Sequence, residues 1–205
     1  MSPVSPGGRP EMNRSTSLRG LPAVAEPVSA TNCTHPFDDG ELQSVDPSAL
    51  IPWSEVTEQM SGGGTWWFAT NHPAGRPHVR PVLAVWVGGA LVTTAGAETR
   101  KVKNLEEGGS AALTASREGV DLVVEGSVTS ITEPDSLQSV ADVFLDTYGW
   151  PTTVAGDALE APYGAPSAGP PPYRVFAVAP RRVFAFGTDE RWAARSTRFA
   201  FAARP

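Results

Sequence analysis

Residues 93–105, TTAGAETRKVKNL, hold the densest grouping of side chains whose types and spacing could do chemistry. Arg100, Lys101 and Lys103 follow a small-residue turn around Gly96, and Val102 with Leu105, three apart, gives the segment the apolar side of a helix. Thr99 is placed to cap that helix. The first N–H groups of a helix have no partner within it and carry the positive end of its dipole, so an anion, and a phosphate above all, suits such a start. A surface helix whose basic residues are merely solvated has the same local sequence, and the elements around it must decide between the two.

Other chemistries find less support. The histidines are His35, His72 and His78 and the one cysteine is Cys33, so a zinc cluster would lack ligands; Cys33 and His35 lie close together without a second pair. No G-x-S-x-G elbow, dinucleotide G-x-G-x-x-G or phosphate-loop G-x-x-x-x-G-K-[ST] occurs. His78 reads as a structural histidine, because an unperturbed pKa alone confers no role.

Strands and turns must position the basic stretch. Residues 65–71 (TWWFATN) are dense in strand formers, 72–76 (HPAGR) form a turn, and 77–87 (PHVRPVLAVWV) read as a long strand. Its period of two places Val79, Pro81, Leu83, Val85 and Val87 on one face and His78, Arg80, Val82, Ala84 and Trp86 on the other. Gly88-Gly89 signals a hairpin returning as a third strand over 90–94. Further strands are expected over 111–116 and 122–131, the latter interrupted by Gly126, where a bulge or close backbone approach is expected. A helix follows over 134–150, with Leu137, Val140, Ala141, Phe144 and Leu145 as its core stripe and Gly149 as its stop. Residues 151–172, rich in Pro and Gly, read as a long loop, and 173–179 with 182–187 as a last strand pair around Pro180-Arg181.

Composition bounds the rest. A chain of 205 residues suits one well-cored domain. Residues 1–46 are interrupted throughout by Pro and Gly without a sustained period, so the expectation is a disordered or loosely attached tail before a domain over 47–205, with a short helix or two leading in from Asp46. Sixteen Lys and Arg against 22 Asp and Glu give a formal net charge of -6, which disfavours nucleic-acid and anionic-membrane binding. No apolar stretch approaches the roughly 20 residues that span a bilayer, and no signal-peptide core precedes Leu50, so a soluble cytoplasmic protein is expected.

Taken in order, GRPHVRPV (75–82), the strand closing on Thr93-Thr94, TRKVKNL (99–105) and VEGSVTSI (124–131) resemble the pyridoxamine-phosphate-oxidase-like family, the flavin and deazaflavin split β-barrels, with later segments similar to its actinobacterial members. The resemblance implies a mainly β fold, a six-stranded split barrel that forms a homodimer with FMN, or the deazaflavin F420, in a groove at the subunit interface. Carried over residue by residue, Arg80 and Lys101 hold the phosphate with Arg100 and Thr99 beside them, Val82 offers its backbone to the ring, and Thr93 and Thr94 line the pocket. The implied activity is hydride transfer to or from a small organic substrate, the hard chemistry belonging to the cofactor. The alternative is a flavin- or haem-binding carrier or sensor of the same fold. The Arg-x-His and terminal basic motif by which true pyridoxamine-phosphate oxidases hold substrate has no counterpart in 188–205, which argues against vitamin B6 oxidation.

Overall fold

The structure is a computed structural model, and it describes residues 26–33, 46–105, 109–165, 167–192 and 195–202. His35, half of the Cys33–His35 pair, lies outside them. No group of three or more metal-ligating side chains occurs among the described residues, and no described helix is long and apolar enough to cross a membrane.

Six antiparallel strands close on themselves. β2 (Thr65–Asn71) pairs with β3 (Pro77–Val87), β3 with β4 (Ala90–Gly96), and β4 with the first half of β9 (Tyr173–Gly187). β9 pairs from Val175 to Gly187 with β6 (Val120–Ile131), β6 with β5 (Ser110–Arg117), and β5 with β2, which completes the ring. The second half of β9 leaves β4 and pairs with β10 (Ser196–Ala200) instead. β9 thus has β6 on one edge and, in turn, β4 and β10 on the other.

Alternation along the strands sorts the core into two layers. Trp66, Phe68, Val82, Ala84, Leu91, Leu113, Leu122, Val124, Phe176 and Val178 fill the barrel, joined by Val56 and Met60 of α1 (Trp53–Ser61) and by Val102 and Leu105 of α2 (Arg100–Leu105). Val85, Val87, Val92, Val175 and Ala177 face the other way, against Leu137, Val140 and Phe144 of α3 (Pro134–Tyr148). β4 is buried at every position because it has the barrel on one face and α3 on the other.

Gly149 ends α3 in the left-handed region (φ 63°), its N–H donating to the Leu145 carbonyl at 2.8 Å. Nothing would obstruct a Cβ there, so only the backbone resists substitution. Gly149→Ala is therefore expected to lower stability by about 1 kcal/mol, read as a drop in the thermal midpoint.

Several boundaries differ from the sequence reading. Ser29–Asn32, inside the segment assigned to the tail, forms β1 and pairs with β10, so part of that segment joins the sheet. Residues 173–187 are one continuous strand rather than a pair, because β6 offers a partner to both halves; the irregularity is absorbed as a bulge, with Glu125 opposite Arg182 and Gly126 opposite Pro180. The expected long loop begins with a small hairpin, β7 (Thr153–Ala155) and β8 (Ala158–Glu160), turning at Gly156 with φ 64°. Leu145, placed on the buried stripe of α3, is 50% exposed, since it lies about 100° around the helix from Phe144, which is buried.

Candidate functional site

Four basic side chains gather where β3 leaves its buried stretch and α2 crosses. His78 and Arg80 share the face of β3 that carries Val82 and Ala84 into the barrel. Beyond Val82 that face reaches solvent: Arg80 is exposed and His78 half-buried. From α2 come exposed Arg100 and Lys101, whose side chain is buried at 2% exposure. The grouping shows in the titration of its members. Burial lowers the His78 pKa first, and the charges of Arg80, Lys101, Arg100 and His72 lower it further. Burial and then Arg80 push Lys101 down to about 8.

A polar relay backs the cluster from inside. Asn104 Nδ2 donates to Thr70 Oγ1 at 2.9 Å, and the same hydroxyl lies 3.3 Å from His78 Nδ1. The other amide atom, Asn104 Oδ1, is buried without a hydrogen-bond partner. His78 thus lies beside the basic cluster and is tied to Thr70. Thr70 and Asn104 were absent from the sequence reading; the strand alternation that puts Trp66 and Phe68 inside would have put Thr70 there too, and Asn104 already stood within TRKVKNL.

The remaining expected residues are placed as follows. Thr99 does not offer its hydroxyl to the helix N-terminus but donates it to the Gly96 carbonyl at 2.8 Å. With α2 only six residues long, the positive character here comes from side chains and not from a long helix dipole. Val82 is 4% exposed, its side chain in the barrel core. Thr93 and Thr94 are both buried but on opposite faces, Thr93 on the side of Leu91 and Ala95 with its hydroxyl donating to the Leu83 carbonyl at 2.8 Å. Gly96 has no positive φ; its lack of a Cβ matters because one would overlap the Pro170 carbonyl oxygen and lie 2.9 Å from that of Ala168. Lys101 does not project into open solvent: its ammonium donates to the Ser167 carbonyl. An open groove of about 650 Å³ elsewhere on the sheet, lined by Asn71, Ala112, Glu125, Arg182 and Phe201 among others, contains none of these basic side chains.

The pKa of Lys101 gives a sign that can be tested. Its folded value of about 8 lies below the unfolded 10.5, so the charged form opposes folding. That penalty is complete below pH 8 and fades as pH rises toward 10.5. The stability of the wild type relative to Lys101→Met is expected to improve over that interval, as measured by urea unfolding at a series of pH values.

A closed six-strand antiparallel ring flanked by one long helix, with basic side chains at its rim, defines a split-barrel protein. A family model described as pyridoxamine 5'-phosphate oxidase matches residues 53–187, and the chain belongs to that family. No curated protein matches it. Among solved structures, the conserved hypothetical protein Rv2991 from Mycobacterium tuberculosis aligns with a TM-score of 0.53 at 16% identity, covering 71% of this chain and 90% of that one. A haem-binding protein from Mycobacterium smegmatis aligns at 0.51 and 19%, covering 77% and 60%. A nimc/nima family protein from Clostridium acetobutylicum aligns at 0.50 and 12%, covering 72% and 88%. At these identities the likeness is one of fold.

Proposed function

We propose that the protein is an oxidoreductase that binds a phosphate-bearing flavin-type cofactor, FMN or alternatively F420, and passes hydride to or from a small organic substrate. The observation that carries this reading is the convergence of His78, Arg80, Arg100 and Lys101 at the rim of a barrel of this family. The donor set fits a phosphate: guanidinium groups bind it bidentately and an ammonium adds a compact charge. Arg80 and Lys101 hold the phosphate, Arg100 and Thr99 flank it, the Val82 backbone lies beside the ring, and Thr93 and Thr94 shape the surroundings. A bound flavin supplies the hydride chemistry. The protein residues bind, orient and neutralise charge.

The working unit in this reading is a homodimer with the cofactor at its interface. Trp67 and Val79, 50% and 42% exposed, support it: they lie on paired strands and on the outer face of the ring, where a second copy would cover them. Thr93 and Thr94, on opposite faces of one strand, can then meet the cofactor from one subunit each or through the backbone.

Turnover is the test. The reduced cofactor on the protein is expected to be reoxidised faster by at least one member of a panel of enones, quinones and imines than by oxygen alone. Oxygen-limited reoxidation across the whole panel would favour the carrier or sensor.

A further inference from the structure

The Lys101 ammonium, which the reading above gives to a phosphate, is already engaged by the chain itself. We propose that segment 167–170 is a built-in competitor of the anionic ligand, a plug seated on Lys101 that the ligand must lift in order to bind. The proposal rests on Lys101 being a phosphate ligand.

The plug touches β3 and α2, which carry the basic side chains, and the end of β4. Its Ser167 carbonyl accepts from Lys101 of α2, and the Ser167 hydroxyl, 3.5 Å from the same ammonium, donates to the Pro81 carbonyl of β3, next to Arg80. The Ala168 carbonyl accepts from the Gly96 N–H at the end of β4, at 2.6 Å. Gly169, at φ 78°, lies against Thr99, whose Cγ2 would be 2.9 Å from a Cβ at that position. The absent side chains of Gly96 and Gly169 are what let the segment approach. A larger residue at either place would hold it off.

The seat is one that a phosphate can win. A neutral carbonyl is a weaker partner for an ammonium than a phosphate, whose bonds to cations are charge-assisted. Ser167 takes φ 58°, a conformation that residues with a side chain rarely adopt and hold only when their surroundings impose it. Apart from Ala168, at 3% exposure, the segment leaves its side chains in solvent, so little apolar burial holds it down. Fixed points stand on both sides. Trp150 Nε1 donates to the Tyr163 carbonyl and the Tyr163 hydroxyl to that of Gly149, each at 3.0 Å, while Tyr173 begins the paired part of β9. Only the short stretch between them needs to move.

Two readouts on the full-length chain test the plug: amide hydrogen exchange at Gly96 and Ala168, whose N–H groups donate to the Ala168 and Ala165 carbonyls, and the dissociation constants of FMN and inorganic phosphate. In the wild type, saturating FMN or phosphate is expected to speed exchange at both amides. Ser167→Ala removes the clamp on Pro81 and is expected to tighten both ligands by about three- to tenfold, since affinity scales with the fraction of molecules already open. Gly96→Ala, whose Cβ displaces the Pro170 carbonyl, serves as a second route to the same opening. The plug is refuted if FMN binds through Lys101, as judged by loss in Lys101→Ala, with exchange unchanged. It is equally refuted if the variants open the segment and neither probe gains affinity. Variants that bind phosphate more tightly while no form binds flavin would sink the cofactor reading and leave the plug standing.

Discussion

Replacing Arg80 and Lys101 together by alanine is expected to weaken FMN binding by roughly 10²- to 10⁴-fold. Hydrogen bonds to charged groups contribute about 1.5–3 kcal/mol each, and two such groups on one phosphate give about 3–6 kcal/mol, at about 1.4 kcal/mol for each factor of ten. The pair is coupled, because the Arg80 charge already depresses Lys101. A phosphate placed between them replaces that repulsion with attraction to both, so the single variants should not add up to the double. Titration of FMN by quenching of its fluorescence, at one ionic strength, gives all four corners of the cycle. Lys101 is also a residue whose charge works against the fold below pH 8, which is what a binding group held in a poor dielectric environment does. Phosphate affinity should accordingly fall as pH rises through 8.

The second large effect concerns the scaffold. Gly126→Ala is expected to lower stability by about 3 kcal/mol or more, with a shifted urea midpoint or loss of soluble protein. A Cβ at Gly126 would overlap the carbonyl oxygen of Ala179 and come within 3.1 Å of Val178 Cγ1. The first of these is backbone, and it belongs to a strand held by β6 on one side and, over Tyr173–Val178, by β4 on the other. It has little freedom to yield. A loss below about 1 kcal/mol would mean that the bulge between Glu125 and Gly126 is looser than its register implies.

Local signals were strong enough to place much of this in the sequence. The strands over 65–71 and 77–87 match their expected bounds, because β-branched and aromatic density, a Pro-Gly turn and the Gly88-Gly89 hairpin all act over a few residues. Gly88 and Gly89 indeed take φ 57° and 74°, the two positive values that a tight hairpin asks for. Gly126 was read as a bulge or a close approach, and it is both. The family resemblance, resting on four short pieces in order, agrees with the match over 53–187.

What stayed hidden depends on contacts far apart in the chain. β1 and β10 exist because each has an edge to pair with, and nothing in SATN or STRFA announces that edge. The burial of Lys101 depends on Ser167, 66 residues later, in a segment whose Pro and Gly content says loop and no more. Asn104 reaches Thr70 from 34 residues away. Side-chain type named the cations, whereas their partners came from topology.

The central claim, that this cluster exists to hold a phosphate, is tested most directly by comparing FMN with riboflavin, which differ by that group alone, and F420 with its phosphate-free form. The wild type is expected to bind the phosphorylated member of one pair at least about 100-fold more tightly, a difference of about 2.7 kcal/mol that should vanish in the Arg80→Ala, Lys101→Ala double variant. Equal affinities within both pairs in the wild type, or a preference that survives in the double variant, would contradict it.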